Sequence, residues 1–223
     1  MDNKNEEKNG GEVSFISKGE LFIEKNKNLI IICVAVVVVA VLAIFGIRKF
    51  VSEPRQAKAN DALFAAEQWF AQGDFETALN GDDQNAGLLS VIDKYGSTKA
   101  GKRAKYEAGL CCMQLGRYSE ALSYLKKYKG KDQLTPVFAE MGKGDAECEM
   151  GNLSAAVKHY THAAEMDANY VTSPSAWFKA GMANLMNGDS KKAAECFKKV
   201  KNDYPESSFN SEIDRYIKYA EEL

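Results

Sequence analysis

The stretch from Pro174 to Pro205 constrains the fold of this chain more than any other part of its sequence. Small and apolar residues recur at helical spacing from Trp177 to Asn187, and a second helical pattern runs from Ser190 to about Asn202. Gly188-Asp189 interrupts the periodicity between them, and the closing proline stops the second pattern. The stretch therefore predicts two helices joined by a tight turn.

A single helical hairpin cannot bury its apolar face alone, so the chain is expected to contain further copies. A glycine followed five residues later by an alanine recurs along the chain and sets a common register. The pairs are Gly73 with Ala78, Gly116 with Ala121, Gly151 with Ala156, and Gly188 with Ala193. Gly109, Gly144 and Gly181 occupy the small position of the first helix, where two helix backbones can approach closely.

This pattern resembles the tetratricopeptide repeat (TPR), whose signature of about 34 residues combines an aromatic, small residues, an alanine, an aromatic and a proline. In the last copy Trp177, Gly181, Ala193, Phe197 and Pro205 stand in register. Ala180 and Asn184 depart from the usual leucine and tyrosine. The resemblance implies an all-α fold in which the repeats stack as a right-handed helical solenoid.

The register divides residues 56–223 into repeats near 59–95, 102–135, 137–170 and 174–206. The first repeat, to which Phe64 and Trp69 are expected to supply bulk, is interrupted by loop chemistry from Asn80 to Gly87. Residues 208–222 form an amphipathic pattern with Phe209, Ile213, Tyr216, Ile217 and Ala220 on its inner side. We expect this last element to cap the solenoid.

An uncharged apolar run from Leu29 to Ile47 precedes the repeats. At ~1.5 Å per residue a helix of this length spans about 28 Å, close to the hydrocarbon thickness of a bilayer. The preceding polar segment, residues 1–28, is long and acidic for a cleaved leader, and no small residue stands just before Cys33 as lipidation would require. The sequence therefore predicts a single-pass membrane anchor at 29–47, a largely disordered tail before it and a short connector at 48–55.

Flanking charge does not fix the orientation of this anchor. Lys18, Lys25 and Lys27 precede the span closely, and it is followed by Arg48, Lys49, Arg55 and Lys58. The positive-inside rule therefore leaves both topologies open.

No pattern in the sequence indicates catalysis or a cofactor. We therefore expect neither an enzymatic activity nor a bound cofactor. His159 and His162 lie three apart without a nearby third ligand, so a solvated helix face is favoured over a metal site. Cys111, Cys112, Cys148 and Cys196 are spaced neither as a zinc pair nor as a redox pair, although a Cys112–Cys148 bridge is conceivable. The net charge of −2 and the lack of a basic patch with interleaved aromatics argue against a nucleic-acid partner.

The first helices of a TPR array line its concave face, and the register assigns residues to that face. The predicted partner-binding residues are Tyr106, Leu110, Met113, Phe138, Met141, Asp145, Phe178, Met182, Leu185 and Met186. Methionine-rich, apolar surfaces suit adaptable binding of varied sequences. The alternative is that tight curvature buries these side chains as ordinary core, and the sequence does not decide between the two.

Three further segments resemble the YfgM-like family of bacterial inner-membrane proteins. They are the lead into the span (Phe22 to Asn28), the helix containing DALFAAEQWF, and the link from Tyr95 to Gly101, while the Asn80–Gly87 loop is similar to that of Bacteroidetes-type members. The resemblance implies a cytoplasmic N-terminus, a periplasmic repeat domain, and association with the Sec translocon and periplasmic chaperones. A structural scaffold in envelope assembly or division is the alternative function. An enzyme or metal protein built on the two histidines and a cysteine is a third hypothesis.

Overall fold

In the computed structural model the backbone is described for residues 9–223 and the side chains from Phe22 onward. The described residues form helices and no strand, with one isolated bridge between Gly81 and Ala86. The predicted all-α fold is therefore confirmed. The chain divides into two units, Met1–Pro54 and Arg55–Leu223.

The N-terminal unit contains helix α1, Asn9–Ile47, and a π-helical turn, Arg48–Ser52. The prediction of a largely disordered tail is wrong for residues 9–28, whereas Met1–Lys8 lies outside the described residues. Once an apolar segment is helical, each added residue gains one hydrogen bond without a new nucleation cost, so the helix can extend into polar sequence.

The expected connector at 48–55 is also helical, and helix α2, Glu53–Gln72, begins inside it. The Glu53 N–H donates to the Arg48 carbonyl, five residues back, which is the π-helical spacing. Pro54 then follows without an N–H to donate. Pro54 is the second residue of α2, and a proline is tolerated in the first turn of a helix. The change from π to α geometry at this point therefore accommodates it.

The second unit is a series of antiparallel helix pairs. Helix α2 is followed by two short helices, α3 (Phe75–Asn80) and α4 (Leu88–Tyr95). The next pair consists of α5 (Lys99–Gln114) and α6 (Tyr118–Lys127). Two more pairs follow: α7 (Thr135–Glu149) with α8 (Leu153–Met166), and α9 (Ser173–Met186) with α10 (Ser190–Asp203). Helix α11, Ile213–Glu222, closes the unit and buries Ile213, Ile217 and Ala220. The cap predicted at 208–222 is thus helical only from Ile213.

The turn of each repeat depends on a glycine in the left-handed region. The φ angles of Gly73, Gly116, Gly151 and Gly188 lie between +71° and +80°. Side chains that carry a Cβ rarely adopt such values, so the recurring glycine reflects a backbone requirement. Asp189 then accepts a hydrogen bond from the Lys192 N–H and begins the second helix of the last repeat.

The two helices of a repeat meet where a glycine on the first faces a large side chain on the second. A Cβ at Gly109 would lie 2.7 Å from Leu125, and a Cβ at Gly144 would lie 2.6 Å from Tyr160. At Gly181 the Phe197 ring would be closer still. Ala121, Ala156 and Ala193 are fully buried at the alanine positions of the second helices. Close backbone approach and a large partner together set the packing of each pair.

The first repeat departs from this plan. Its small position is held by Ala66, which is buried with Ala59 and Leu63, but Phe64 is exposed and does not contribute the expected bulk. Asp82 accepts hydrogen bonds from the N–H groups of Gln84 and Asn85 and orders the loop between α3 and α4. The second helix of this repeat is therefore split into two short pieces.

We predict that Gly181→Ala destabilises the domain by about 1–3 kcal/mol because the new methyl group would overlap the Phe197 ring. In a Phe197→Leu background the same change should cost clearly less, since the smaller side chain leaves room. Urea unfolding in non-ionic detergent measures the four free energies of this cycle. Additive effects of the two substitutions would contradict the assigned contact.

Candidate protein-binding face

The ten predicted partner-binding residues fall on the first helices α5, α7 and α9, but their exposure differs widely. Met186 and Phe138 are 60% and 42% exposed. Tyr106, Leu110, Met113, Asp145, Phe178, Met182 and Leu185 are partly buried, and Met141 is only 7% exposed. The structure therefore divides the predicted set between open surface and core.

Phe178 is enclosed by the C-terminal part of the chain. Its ring centroid lies 4.8 Å from that of Phe209 and 4.9 Å from that of Tyr216, and 5.6 Å from that of Phe197. In a solenoid the side of the last repeat that would receive a further repeat is covered by the cap. Phe178 is therefore partly buried in the contact with the cap, and its role in partner binding stays a prediction.

Met141 and Asp145 on α7 also have internal roles. Met141 belongs to the core of the last two repeats. The Asp145 carboxylate accepts hydrogen bonds from the Tyr160 hydroxyl at 2.7 Å and from the Lys179 ammonium at 2.6 Å, which joins α7 to α8 and α9. Burial, with the negative charge of Asp145, raises the pKa of Tyr160, so its hydroxyl remains a donor.

The residues that remain accessible define what we call the open face: Leu110, Met113, Phe138, Met182, Leu185 and Met186. Met113 packs on the core of the first two repeats, whereas Met182 and Leu185 pack on the core of the last two. The open face therefore extends over both halves of the domain. Tyr106 borders it, with its ring 5.6 Å from that of Tyr128.

Buried carboxylates are the feature that the sequence analysis missed. Glu140 and Glu147 lie seven residues apart on one side of α7 and are both buried. Glu140 accepts from Lys143 Nζ at 2.6 Å and pairs with His159 Nδ1 at 2.6 Å on α8. Burial by itself would raise the pKa of Glu140, but these hydrogen bonds outweigh it and lower the pKa to about 2. The spacing of two acids on an otherwise apolar side was the available signal.

The histidines and the buried cysteines make structural contacts. His159 is held by Glu140 and so does not lie on a freely solvated helix face, while His162 is mostly exposed. From Phe22 onward no group of three histidine, cysteine or acidic side chains is arranged to hold a metal ion. Cys112 and Cys148 are free thiols, and burial raises the pKa of Cys111 to about 12 and that of Cys112 to about 11. These thiols serve as packing groups.

Comparison with known proteins agrees with the repeat geometry. Two family profiles described as tetratricopeptide repeat match residues 88–135 and 175–207. A crystal structure titled as a Podosopora anserina kinesin light chain with nearly identical TPR-like repeats covers 75% of this chain and 86% of its own, with a TM-score of 0.58 at 14% identity. The second unit has a TPR-like helical repeat fold. Among curated proteins no match is found.

The TPR-like fold is typical of non-catalytic interaction scaffolds. The matched segments include α5 and α6 of the second repeat and α9 and α10 of the last. At 14% identity the structural likeness concerns the fold alone, so the nature of the partners has to be argued from this chain's own surface.

Glu107 on α5 generates a prediction about pH. Burial raises the pKa of Glu107 from 4.5 to about 7, and the nearby Glu67 carboxylate adds to the shift while Arg103 opposes it. The folded state binds this proton more tightly than the unfolded chain does. The contribution of Glu107 to stability should therefore be fully present below pH 4.5, fall as the pH rises to about 7, and stay level above that.

Glu107→Gln should remove this dependence, because the amide stays neutral at every pH. Relative to wild type, we expect the variant to gain about 1–3 kcal/mol of unfolding free energy between pH 4.5 and pH 8. Urea unfolding at several pH values measures the difference. Glu165→Gln, an exposed change on α8, is the matched control and should leave the profile unchanged. Parallel profiles for wild type and Glu107→Gln would refute the assignment.

Proposed function

We propose that this chain is a single-pass, membrane-anchored TPR-like protein that binds other proteins through its open face. The observation that carries the proposal is the exposure of large apolar side chains on first helices, with Met186 60% and Phe138 42% exposed. A soluble domain gains stability by burying such groups, and their exposure along the first helices of a helical repeat is typical of a binding surface.

The apolar segment supports the membrane part of the proposal. Within the helical stretch Phe22–Gln72, one 18-residue window has a mean hydropathy of 3.4 and none of it is buried in the protein. A core helix of a soluble protein would be mostly covered by neighbouring elements. A bilayer is the environment that removes this surface from water.

The resemblance to YfgM-like proteins supports a more specific version. In it the N-terminus is cytoplasmic, the repeat domain is periplasmic, and the partners are the Sec translocon, periplasmic chaperones or their clients. A module of this kind carries no catalytic residues and needs no cofactor or metal. A scaffold in envelope assembly or division would use the same surface with different partners.

The binding claim is tested with the double variant Phe138→Asp/Met186→Asp. Each buried large apolar contact contributes roughly 1.5–3 kcal/mol, so two carboxylates in the interface should reduce partner recovery at least tenfold. Pull-down from solubilised membranes with mass spectrometry measures recovery and identifies the partners. Met166→Asp, an exposed apolar position at the end of α8, is the matched control and should leave recovery unchanged.

The melting temperature of the double variant should match that of wild type, because both side chains are already exposed in the free protein. Equal recovery of every partner by wild type and the double variant would overturn the open face as the binding surface. Recovery of division or envelope-assembly proteins in place of translocon components would support the scaffold function.

Topology is tested separately. Protease added to cells with opened outer envelopes should digest the repeat domain and leave a tag at Met1 intact. A protected repeat domain together with a digested tag would reverse the proposed orientation.

A further inference from the structure

A cavity in the repeat domain lies at the beginning of the first helices. Its volume is about 800 Å³, within the range of small-ligand sites. Gln56 and Asn60 from α2, Lys99 and Arg103 from α5, and Thr135 from α7 contribute to its wall. The starts of three first helices therefore converge on one pocket.

The pocket is strongly basic although the whole chain carries a net charge of −2. Lys99, Lys102, Arg103 and Lys131 line it, against a single carboxylate, Asp132. Asp132 already accepts hydrogen bonds from the Thr135 N–H at 2.7 Å and the Tyr128 hydroxyl at 2.9 Å. Its charge is therefore partly satisfied within the protein.

Among the residues whose side chains the structure describes, three of the four cations have no counter-charge. Arg103 pairs with Glu67, but Lys99, Lys102 and Lys131 form no ion pair with any residue from Phe22 onward. Lys99 and Lys102 also stand in the first turn of α5, where the helix dipole disfavours positive charge. This arrangement costs stability in the free protein, so it favours an anionic ligand.

The surroundings of the pocket indicate which anion it takes. Leu134 is next to the wall residue Thr135 and is exposed. The Gln133 side-chain amide donates a hydrogen bond to the Asp167 carboxylate in the following inter-repeat loop. That loop presents Tyr170 and Val171, which are 61% and 70% exposed. An exposed aliphatic side chain next to a lysine-lined wall is characteristic of a surface that binds lipid headgroups, and the Gln133–Asp167 hydrogen bond ties this wall to the loop that exposes the other two apolar side chains. An acidic peptide would require the charges but not these apolar neighbours.

The length of the chain makes such contact possible. Gln56 follows the end of the apolar segment, Ile47, by nine residues. Even fully extended, this connection reaches about 30 Å, so the pocket is tethered close to the headgroups in any orientation of the domain. A tethered site meets its ligand at high effective concentration.

We propose that this basic pocket binds the phosphate headgroup of an anionic phospholipid, with Lys99, Lys102 and Lys131 as the contacting cations. The inference rests on the proposed membrane anchor but not on the proposed open face. Binding would fix the repeat domain at the bilayer surface while leaving the apolar residues of α7 and α9 free for partners.

The test uses the full chain in lipid nanodiscs, with co-elution of chain and disc as a separate check of the anchor. Lysine acetylation is followed by mass spectrometry in discs of phosphatidylcholine alone and in discs that also contain phosphatidylglycerol. Phosphatidylglycerol should slow the acetylation of Lys99, Lys102 and Lys131 about fivefold, and high salt should reverse the protection. Lys158, an exposed lysine on α8, should react equally in both discs.

The double variant Lys102→Glu/Lys131→Glu should abolish the protection of Lys99 from acetylation. The control variant Lys158→Glu should preserve it. Circular dichroism should show that both variants are folded.

Equal acetylation rates in the two kinds of disc would overturn the proposal. So would equal protection by soluble glycerol phosphate, which would indicate a free-anion site. Protection by an oligoglutamate peptide, but not by phosphatidylglycerol, would assign the pocket to acidic protein segments. Partner recovery through the open face should be unaffected in every case.

Discussion

The contact between a glycine on the first helix and a large side chain on the second is the interaction on which the repeat domain depends. At Gly109, Gly144 and Gly181 any side chain would overlap Leu125, Tyr160 or the ring of Phe197. This contact fixes the distance between the two helices, and the left-handed glycine at the turn fixes their direction. Each repeat is then a wedge of defined shape that can stack on its neighbour.

Polar contacts add specificity to this apolar framework. The Asp145 carboxylate joins Tyr160 and Lys179 from two following helices, and Glu140 holds His159 across the α7–α8 pair. A buried charge is tolerated only when it is paired, so these residues favour one register of α7 against its neighbours. Glu107 is less well satisfied, because its Oε2 atom is buried and has no hydrogen-bond partner among the described residues.

The repeat fold could be predicted from sequence because its determinants are local. A left-handed turn at Gly188 and close packing at Gly181 demand particular residue types at fixed spacing. The split of the predicted face could not be predicted, since Phe178 is partly covered by residues far along the chain and Met141 lies in the core that the last two repeats share. The pairing of Glu140 with His159 likewise joins separate helices. The helical start of α2 was missed because Pro54 indicates a break unless the preceding turn is π-helical.

The central claim is that open apolar residues on the first helices contact partner polypeptides. Site-specific photo-crosslinking in intact cells tests it most directly, with a photoreactive residue placed at Met186 in one strain and at Lys158, an exposed position on a second helix, in another. The account predicts discrete polypeptide adducts from the Met186 position and none above background from the Lys158 position. Adducts of equal yield from both positions, or from Lys158 alone, would contradict it.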